Sequence, residues 1–288
     1  MAILKDLAQV LRVYEQGNTS LIAVMLGRRL GQFRVYAKGS RRWPKKGFEG
    51  GLDLLARGEI LLYPRSGEGL WVFKEWEEQS RPRVGQSLAM LRAASYLCEL
   101  TEALTRQTAS AITELNSASR TDLNRGFGGL SGQPGLNSNM RLFDQLAATA
   151  DVLANGGQAG PVLLNFTLRL LGIEGMLPGF DNCTACDKSL LKPPQTVWLT
   201  TEGLFCKQCA TQAKQEQGPR GMWLSPEAHR VLVHLFATPR PVRASINAAS
   251  QVSRAMVLLV HGALEHDLRT LAAAAQRVGE MAGMAGKS

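Results

Sequence analysis

The sequence predicts a multi-domain α+β protein, on three observations. Five short segments rich in β-branched and aromatic residues, separated by turn residues, fill residues 9–79. Helical periodicity takes over after Pro82. Two C-x2-C pairs then interrupt the helices within residues 183–209. These divide the chain into a small β-barrel at 1–82 and an α-helical domain at 83–288. The second part carries an embedded four-cysteine module of the zinc-finger type at 181–211.

The strand segments are AQVLRVY, TSLIAVMLG, GQFRVYAKG, DLLARGEILLY and GLWVFKEW. Turn signals stand between them at Gly17-Asn18, Gly27, Gly39-Ser40, Gly50-Gly51 and Gly67-Glu68-Gly69. In GQFRVYAKG the residues alternate: Phe33, Val35 and Ala37 belong to a core face, and Arg34, Tyr36 and Lys38 to the opposite one. Five strands in about 80 residues suit an OB-fold, and an SH3-like barrel is the alternative.

The first helix comes from VGQSLAMLRAASYLCELTEAL, with Leu88, Leu91, Ala94, Ser95 and Cys98 at helical spacing. Residues 116–139 are polar and glycine-rich and read as a long flexible loop. Helical patterns resume at MRLFDQLAATADVLAN and PVLLNFTLRLLGI. A further helix begins at SPEAHRVLVHLFA, with Ser225 as its N-cap and Pro226 in its first position. The last helix is expected from Ile246 to about Met281.

Composition narrows the function. Of 288 residues, 45 % are apolar and 20 % charged, which excludes a disordered or fibrous chain. No apolar run reaches the roughly 18 residues of a membrane span. Lys5 and Asp6 fall where a signal peptide would have an unbroken apolar stretch. A soluble, cytoplasmic chain is expected. Lys plus Arg number 33 against 24 Asp plus Glu, a net charge of +9 and a pI near 9.6. Residues 1–83 hold 15 basic and 9 acidic side chains, so most of the excess lies in the barrel. A basic, compact unit points to a polyanionic partner.

The sharpest motif is Cys183-x2-Cys186, followed after 19 residues by Cys206-x2-Cys209. Each pair presents two thiolates from one tight loop, and two such loops close a tetrahedron about Zn²⁺. Two disulfides or a redox pair are the competing readings. Four thiolates leave no open coordination position, so one structural Zn²⁺ is expected, with Lys188 and Lys207 beside the knuckles to offset its negative charge. The fifth cysteine, Cys98, reads as core packing.

The run RRLGQFRVYAKGSRRWPKK carries Arg28, Arg29, Arg34, Lys38, Arg41, Arg42, Lys45 and Lys46 and no acid, with Phe33, Tyr36 and Trp43 interleaved. Cations for phosphates and rings for bases are what a single strand of nucleic acid requires. Phe33, by its alternation, belongs to the core. The chain contains no P-loop, no H-E-x2-H, no G-x-S-x-G and no strand-linked dinucleotide fingerprint. His229/His234 and His261/His266 are spaced five apart, about 140° off one helix face, which suits packing or surface roles rather than metal. No carboxylate pair stands out as a catalytic dyad. The residues alone describe a non-enzymatic nucleic-acid-binding protein, with an RNA-binding or transcription-associated zinc-ribbon protein as the alternative.

Taken together, RVYAKGSRR, AASYLCELTEAL, LFDQLAATADVLAN, NFTLRLLGIEGMLPGFDNCTAC and LSPEAHRVLVHLF, in this order, resemble the bacterial recombination and repair family RecO. The resemblance implies an N-terminal OB-fold and a helical domain that holds a zinc finger in many members. It also implies binding of single- and double-stranded DNA and ATP-independent annealing of complementary strands. RecR and single-strand-binding protein are the partners it implies, with assistance to RecA loading on strands that single-strand-binding protein covers. It places DNA contact on Arg34, Lys38, Arg41 and Arg42; extension to Arg28, Arg29, Lys45 and Lys46 follows from charge. Such a protein is expected in the cytoplasm, at the nucleoid. Residues 116–139 look longer than the family's usual loop.

Overall fold

Alternating apolar residues in the first eighty positions form six strands: β1 (Leu4–Gln16), β2 (Ser20–Gly27), β3 (Gly31–Ala37), the two-residue β4 (Phe48–Glu49), β5 (Arg57–Tyr63) and β6 (Leu70–Ser80). The structure is a computed structural model that describes residues 3–40, 48–49, 51–63, 70–116, 134–217, 221–238 and 242–264. The strand order is β3-β2-β1-β5-β6, and a parallel pairing of β3 with β6 closes the ring. The five long strands are the five read from the sequence; β4 is an additional parallel partner of β6. Inward residues Ala8, Val10, Ala23, Met25, Phe33, Val35, Ile60, Leu62 and Trp76 fill the barrel. This closed five-stranded barrel, with antiparallel neighbours and one parallel seam, is an OB-fold.

Two local features hold the barrel in register. Gly58 faces the β6 backbone so closely that a Cβ there would lie 2.2 Å from the Glu77 carbonyl oxygen. Asp6 is 3 % exposed and accepts backbone hydrogen bonds from Leu7 (2.9 Å), Arg29 (3.0 Å) and Leu30 (2.9 Å). One buried carboxylate therefore caps the turn between β2 and β3.

The barrel and the first two helices cluster as one compact unit, Met1–Gly156. Helix α1 (Leu88–Asn116) packs on β1 and β3, and α2 (Pro134–Ala154) packs on α1, β2 and β3. The stripe expected on α1 is only half right. Ala94 and Cys98 are buried, whereas Leu88 and Leu91 are 60 % and 42 % exposed. The contacts with the barrel begin later, through Cys98 to the Val10 carbonyl (3.9 Å), Glu102 to Arg12 (2.8 Å) and Thr105 to Gln32. Cys98 is thus a core residue, and burial pushes its thiol pKa well above the ordinary range.

Part of the expected flexible loop is helical. Residues 134–139, read within the 116–139 loop, form the start of α2, with Pro134 in its first position. Their polar sequence gives no apolar period. The helix is instead anchored by the buried Leu142, Phe143 and Leu146 farther along, which is tertiary packing overriding a local signal. Residues 117–133 lie outside the described residues.

The second unit, Gly157–Ser288, begins with α3 (Ala159–Ile173). A three-stranded sheet follows, ordered β8-β7-β9, from β7 (Val197–Leu199), β8 (Leu204–Phe205) and β9 (Met222–Leu224). Helix α4 (Lys207–Gln217) stands between β8 and β9, and α5 (Pro226–Ala237) and α6 (Ile246–Ala263) complete the unit. Ser225 caps α5 as expected, accepting from the Ala228 N–H at 3.2 Å. Ser245 caps α6 in the same way and donates its own N–H and hydroxyl to Glu227 at 2.8 and 2.6 Å. The extension of the last helix toward Met281 falls outside the described residues, and α6 ends at Ala263. Among the described residues no helix is long and apolar enough to cross a membrane.

His229 of α5 is a core residue, 1 % exposed, with Nε2 donating to the Phe180 carbonyl at 2.8 Å. Burial lowers its pKa below the ordinary value, against smaller raising effects of that hydrogen bond and of Asp181. The unfolded chain then takes up a proton near pH 6.5 before the folded one does. This contribution to stability is full above about pH 6.5 and is lost as pH falls toward the folded value. His229→Gln, which keeps a side-chain donor, is expected to flatten the fall of melting temperature as pH drops below about 6.5. For the barrel, Asp6→Ala orphans the part-buried N–H groups of Leu7, Arg29 and Leu30 and is expected to cost about 1–3 kcal/mol in urea unfolding.

Candidate metal centre and nucleic-acid interface

Two tight turns bring the four cysteines together. In the first, Asp187 adopts a left-handed backbone (φ 56°) and donates its N–H to the Cys183 carbonyl (2.8 Å). Cys183 in turn donates its N–H to the Lys188 carbonyl (2.9 Å). This folds Cys183-Thr-Ala-Cys186 back on itself. In the second, the chain leaves β8 at Cys206 and enters α4, whose first turn contains Cys209. The Ala210 N–H donates to the Cys206 carbonyl at 2.9 Å, so Cys206 stands at the head of the helix. Thr184 ties the two turns together through its N–H to the Leu204 carbonyl (2.8 Å).

The four Sγ atoms lie within 4.8 Å of one another. Cys186 and Cys206 are 3.9 Å apart, close to the edge of about 3.8 Å that a tetrahedron with 2.3 Å metal–sulfur bonds requires. The Cys206 N–H points at Cys183 Sγ at 3.3 Å, a bond that stabilises thiolate. Burial pushes the Cys183 thiol up, but the backbone N–H groups of Cys206, Cys186 and Ala185 outweigh it and bring the pKa down to about 7. The cluster can hold a metal ion, and its all-thiolate donor set fits a soft, tetrahedral one. Lys188 and Lys207 are exposed beside it, and the N-terminus of α4 adds its partial positive charge.

The outer face of the module's sheet carries tryptophans. Trp198 and Trp223 are paired across β7 and β9 with their rings edge to face at 5.2 Å. The Lys214 ammonium of α4 lies 4.2 Å from the first ring centroid and 4.8 Å from the second. Trp198 is buried; Trp223 is 38 % exposed.

On the barrel, β3 shows the alternation read from the sequence. Phe33, Val35 and Ala37 are buried, Arg34 and Lys38 are exposed, and Tyr36 is half-buried between them. Tyr36 donates its hydroxyl to Ser20 at 3.3 Å. Arg28 and Arg29 sit in the turn between β2 and β3, where carboxylates of the same unit engage them. Arg28 makes a two-pronged contact with Asp144 of α2 (3.0 and 3.1 Å), which raises its pKa further. Arg29 reaches Asp6 and the Lys5 carbonyl. Sequence reasoning missed these partners because Asp144 is 116 residues from Arg28, a separation no local pattern spans. Arg41, Arg42, Trp43, Lys45 and Lys46 lie outside the described residues.

The chain matches two family models: the N-terminal domain of recombination protein O over residues 1–80 and the C-terminal domain of recombination protein O over residues 134–271. Among curated proteins it is 28 % identical over 206 residues to the DNA repair protein RecO of Rhodopirellula baltica. That match covers 70 % of this chain and 66 % of the relative, just under two thirds. The RecO of Bacillus cereus is 23 % identical over 228 residues, 79 % of this chain and 77 % of its own length. The RecO of Bacillus anthracis is 23 % identical over 209 residues, covering 72 % and 70 %. With both domains matched, on either side of the α1–α2 connection, the chain belongs to the RecO family of DNA repair and recombination proteins.

Proposed function

We propose that this chain is an ATP-independent mediator of recombinational repair that binds single- and double-stranded DNA through the outer face of β3 and anneals complementary strands. Its family consists of repair mediators rather than enzymes. The observation that carries the reading is Arg34 on β3 and Lys38 just past its end, both exposed, on either side of Tyr36. In the sequence, Arg41, Arg42, Trp43, Lys45 and Lys46 continue the same basic and aromatic run. Arg28 and Arg29 contribute field more than contact, since carboxylates already hold them.

Mechanically, two complementary strands repel through their phosphates. A basic surface neutralises that repulsion and raises the local strand concentration. Contact with about 6 phosphates gives a log–log salt slope near −5 on duplex and −4 on single strands. With RecR, such a protein assists loading of RecA onto strands coated by single-strand-binding protein, in the cytoplasm at the nucleoid. The cysteine cluster holds one structural Zn²⁺ on Cys183, Cys186, Cys206 and Cys209, which supplies folding free energy to a module too small to fold by burial alone.

The test is annealing of two labelled complementary DNA strands without ATP at low and physiological salt. Acceleration that fades with salt is expected. The paired change Arg34→Ala with Lys38→Ala should slow it and flatten the binding slope by about 1–2. Unaltered annealing in that variant removes β3 from the interface. For the metal, the purified chain is expected to carry one zinc per molecule. Cys206→Ser should lose it and lower the melting temperature, and a variant that keeps both rejects the structural zinc.

A further inference from the structure

We propose that a row of tyrosines crossing the barrel, Tyr14, Tyr36 and Tyr63, is a stacking track that selects single-stranded nucleic acid over duplex. The inference rests on the proposed DNA binding at β3 and adds to it the rings of β1 and β5.

The row follows from strand register. Tyr14 of β1 pairs with Ile22 of β2, and Ile22 pairs with Tyr36 of β3. Tyr36 pairs across the parallel seam with Val72 of β6, and Val72 pairs with Tyr63 of β5. Residues paired in this way share one face of a sheet. That face is the outer one, because the neighbours Val13, Val35, Trp71 and Leu62 all pack into the core. Three tyrosines therefore stand on alternate strands of one continuous line, their backbones about 10 Å apart at two strand spacings. Tyr14 is 43 % exposed, and Tyr36 and Tyr63 are half-buried.

Cations accompany each ring. The Arg12 guanidinium lies 5.9 Å from the Tyr14 centroid and the Lys74 ammonium 5.8 Å from that of Tyr63. Arg34 and Lys38 flank Tyr36 two residues away on either side. Arg12 is also paired with Glu102, and Lys74 with Glu75 at 3.6 Å, so like Arg28 and Arg29 they contribute field more than contact, and Arg34 and Lys38 are the cations left to meet phosphate. A ring with a cation beside it, repeated across a surface, matches a strand whose bases are free to stack and whose phosphates run alongside. In duplex DNA the bases are stacked on each other, and only the cations have something to meet. The same row therefore separates the two forms of DNA with no sequence readout.

The test uses the full chain. Wild-type protein is titrated by fluorescence anisotropy with a 15-residue oligo-dT, an abasic strand of the same length and a duplex of the same length. A preference of about tenfold or more for oligo-dT over the abasic strand is expected, and equal affinity overturns the track without any variant. Tyr14→Leu and Tyr63→Leu, with melting temperatures measured alongside, should each weaken oligo-dT binding about tenfold. Duplex affinity and both salt slopes should stay within twofold of wild type. Tyr14→Phe and Tyr63→Phe, which keep the ring, should bind as wild type. Equal losses on duplex and single strand, or no loss on either, reject the track. If Arg34→Ala with Lys38→Ala weakens binding while the leucine variants do not, the β3 interface stands and the track alone falls. If wild type binds none of the three probes, the β3 interface has failed, and the track with it.

Discussion

Closure of the barrel along the β3–β6 seam is the constraint on which the first unit depends. Only a closed ring leaves no strand edge with unpaired N–H and C=O groups. The seam is short: Arg34, Val35 and Tyr36 pair with Leu70, Trp71 and Val72. The backbone that closes the ring is thus the backbone that carries the exposed cation and ring of the candidate interface. Val35 and Trp71 anchor the seam from inside, while their neighbours point outward. A binding surface built on a closure seam is held rigid by main-chain hydrogen bonds, so its side chains are presented at fixed spacing.

A different economy governs the cysteine module. Its sheet has only three strands of two or three residues, and its inner residues Val197, Leu199, Leu204 and Leu224 are fully buried. The two cysteine turns have no comparable core of their own; Cys186 and most residues of the first turn are exposed. What organises them is backbone hydrogen bonding aimed at sulfur and at carbonyls, with Cys206 serving both the sulfur cluster and the start of α4.

The architecture was legible because it rests on local periodicity. The alternation of GQFRVYAKG appears unchanged in the burial of β3, and the C-x2-C spacing placed four sulfurs in one cluster. The Ser225-Pro226 start of α5 was likewise a local signal. Four features escaped because their causes lie outside the segment that was read. Leu88 and Leu91 have the right spacing for the buried face of α1 but precede its contacts with the barrel. Residues 134–139 are helical because of the apolar residues that follow them. The charges of Arg28 and Arg29, indistinguishable in the sequence from those of Arg34 and Lys38, are engaged by Asp144 and Asp6 once the chain folds. Cross-strand neighbours such as Tyr14 and Tyr36 were also invisible until register was fixed, since pairing is a property of two strands and not of either one.

The tryptophan pair of the cysteine module has an optical consequence. Trp198 and Trp223 sit edge to face, with the Lys214 ammonium above both, and Lys214 belongs to the helix that Cys206 and Cys209 begin. An indole's emission responds to a nearby charge and to water at its edge. Whatever loosens the head of α4 shifts Lys214 against both rings. Two of the chain's five tryptophans therefore sit beside the helix that the sulfur cluster begins, and their share of the intrinsic fluorescence is the part exposed to a change at that helix head.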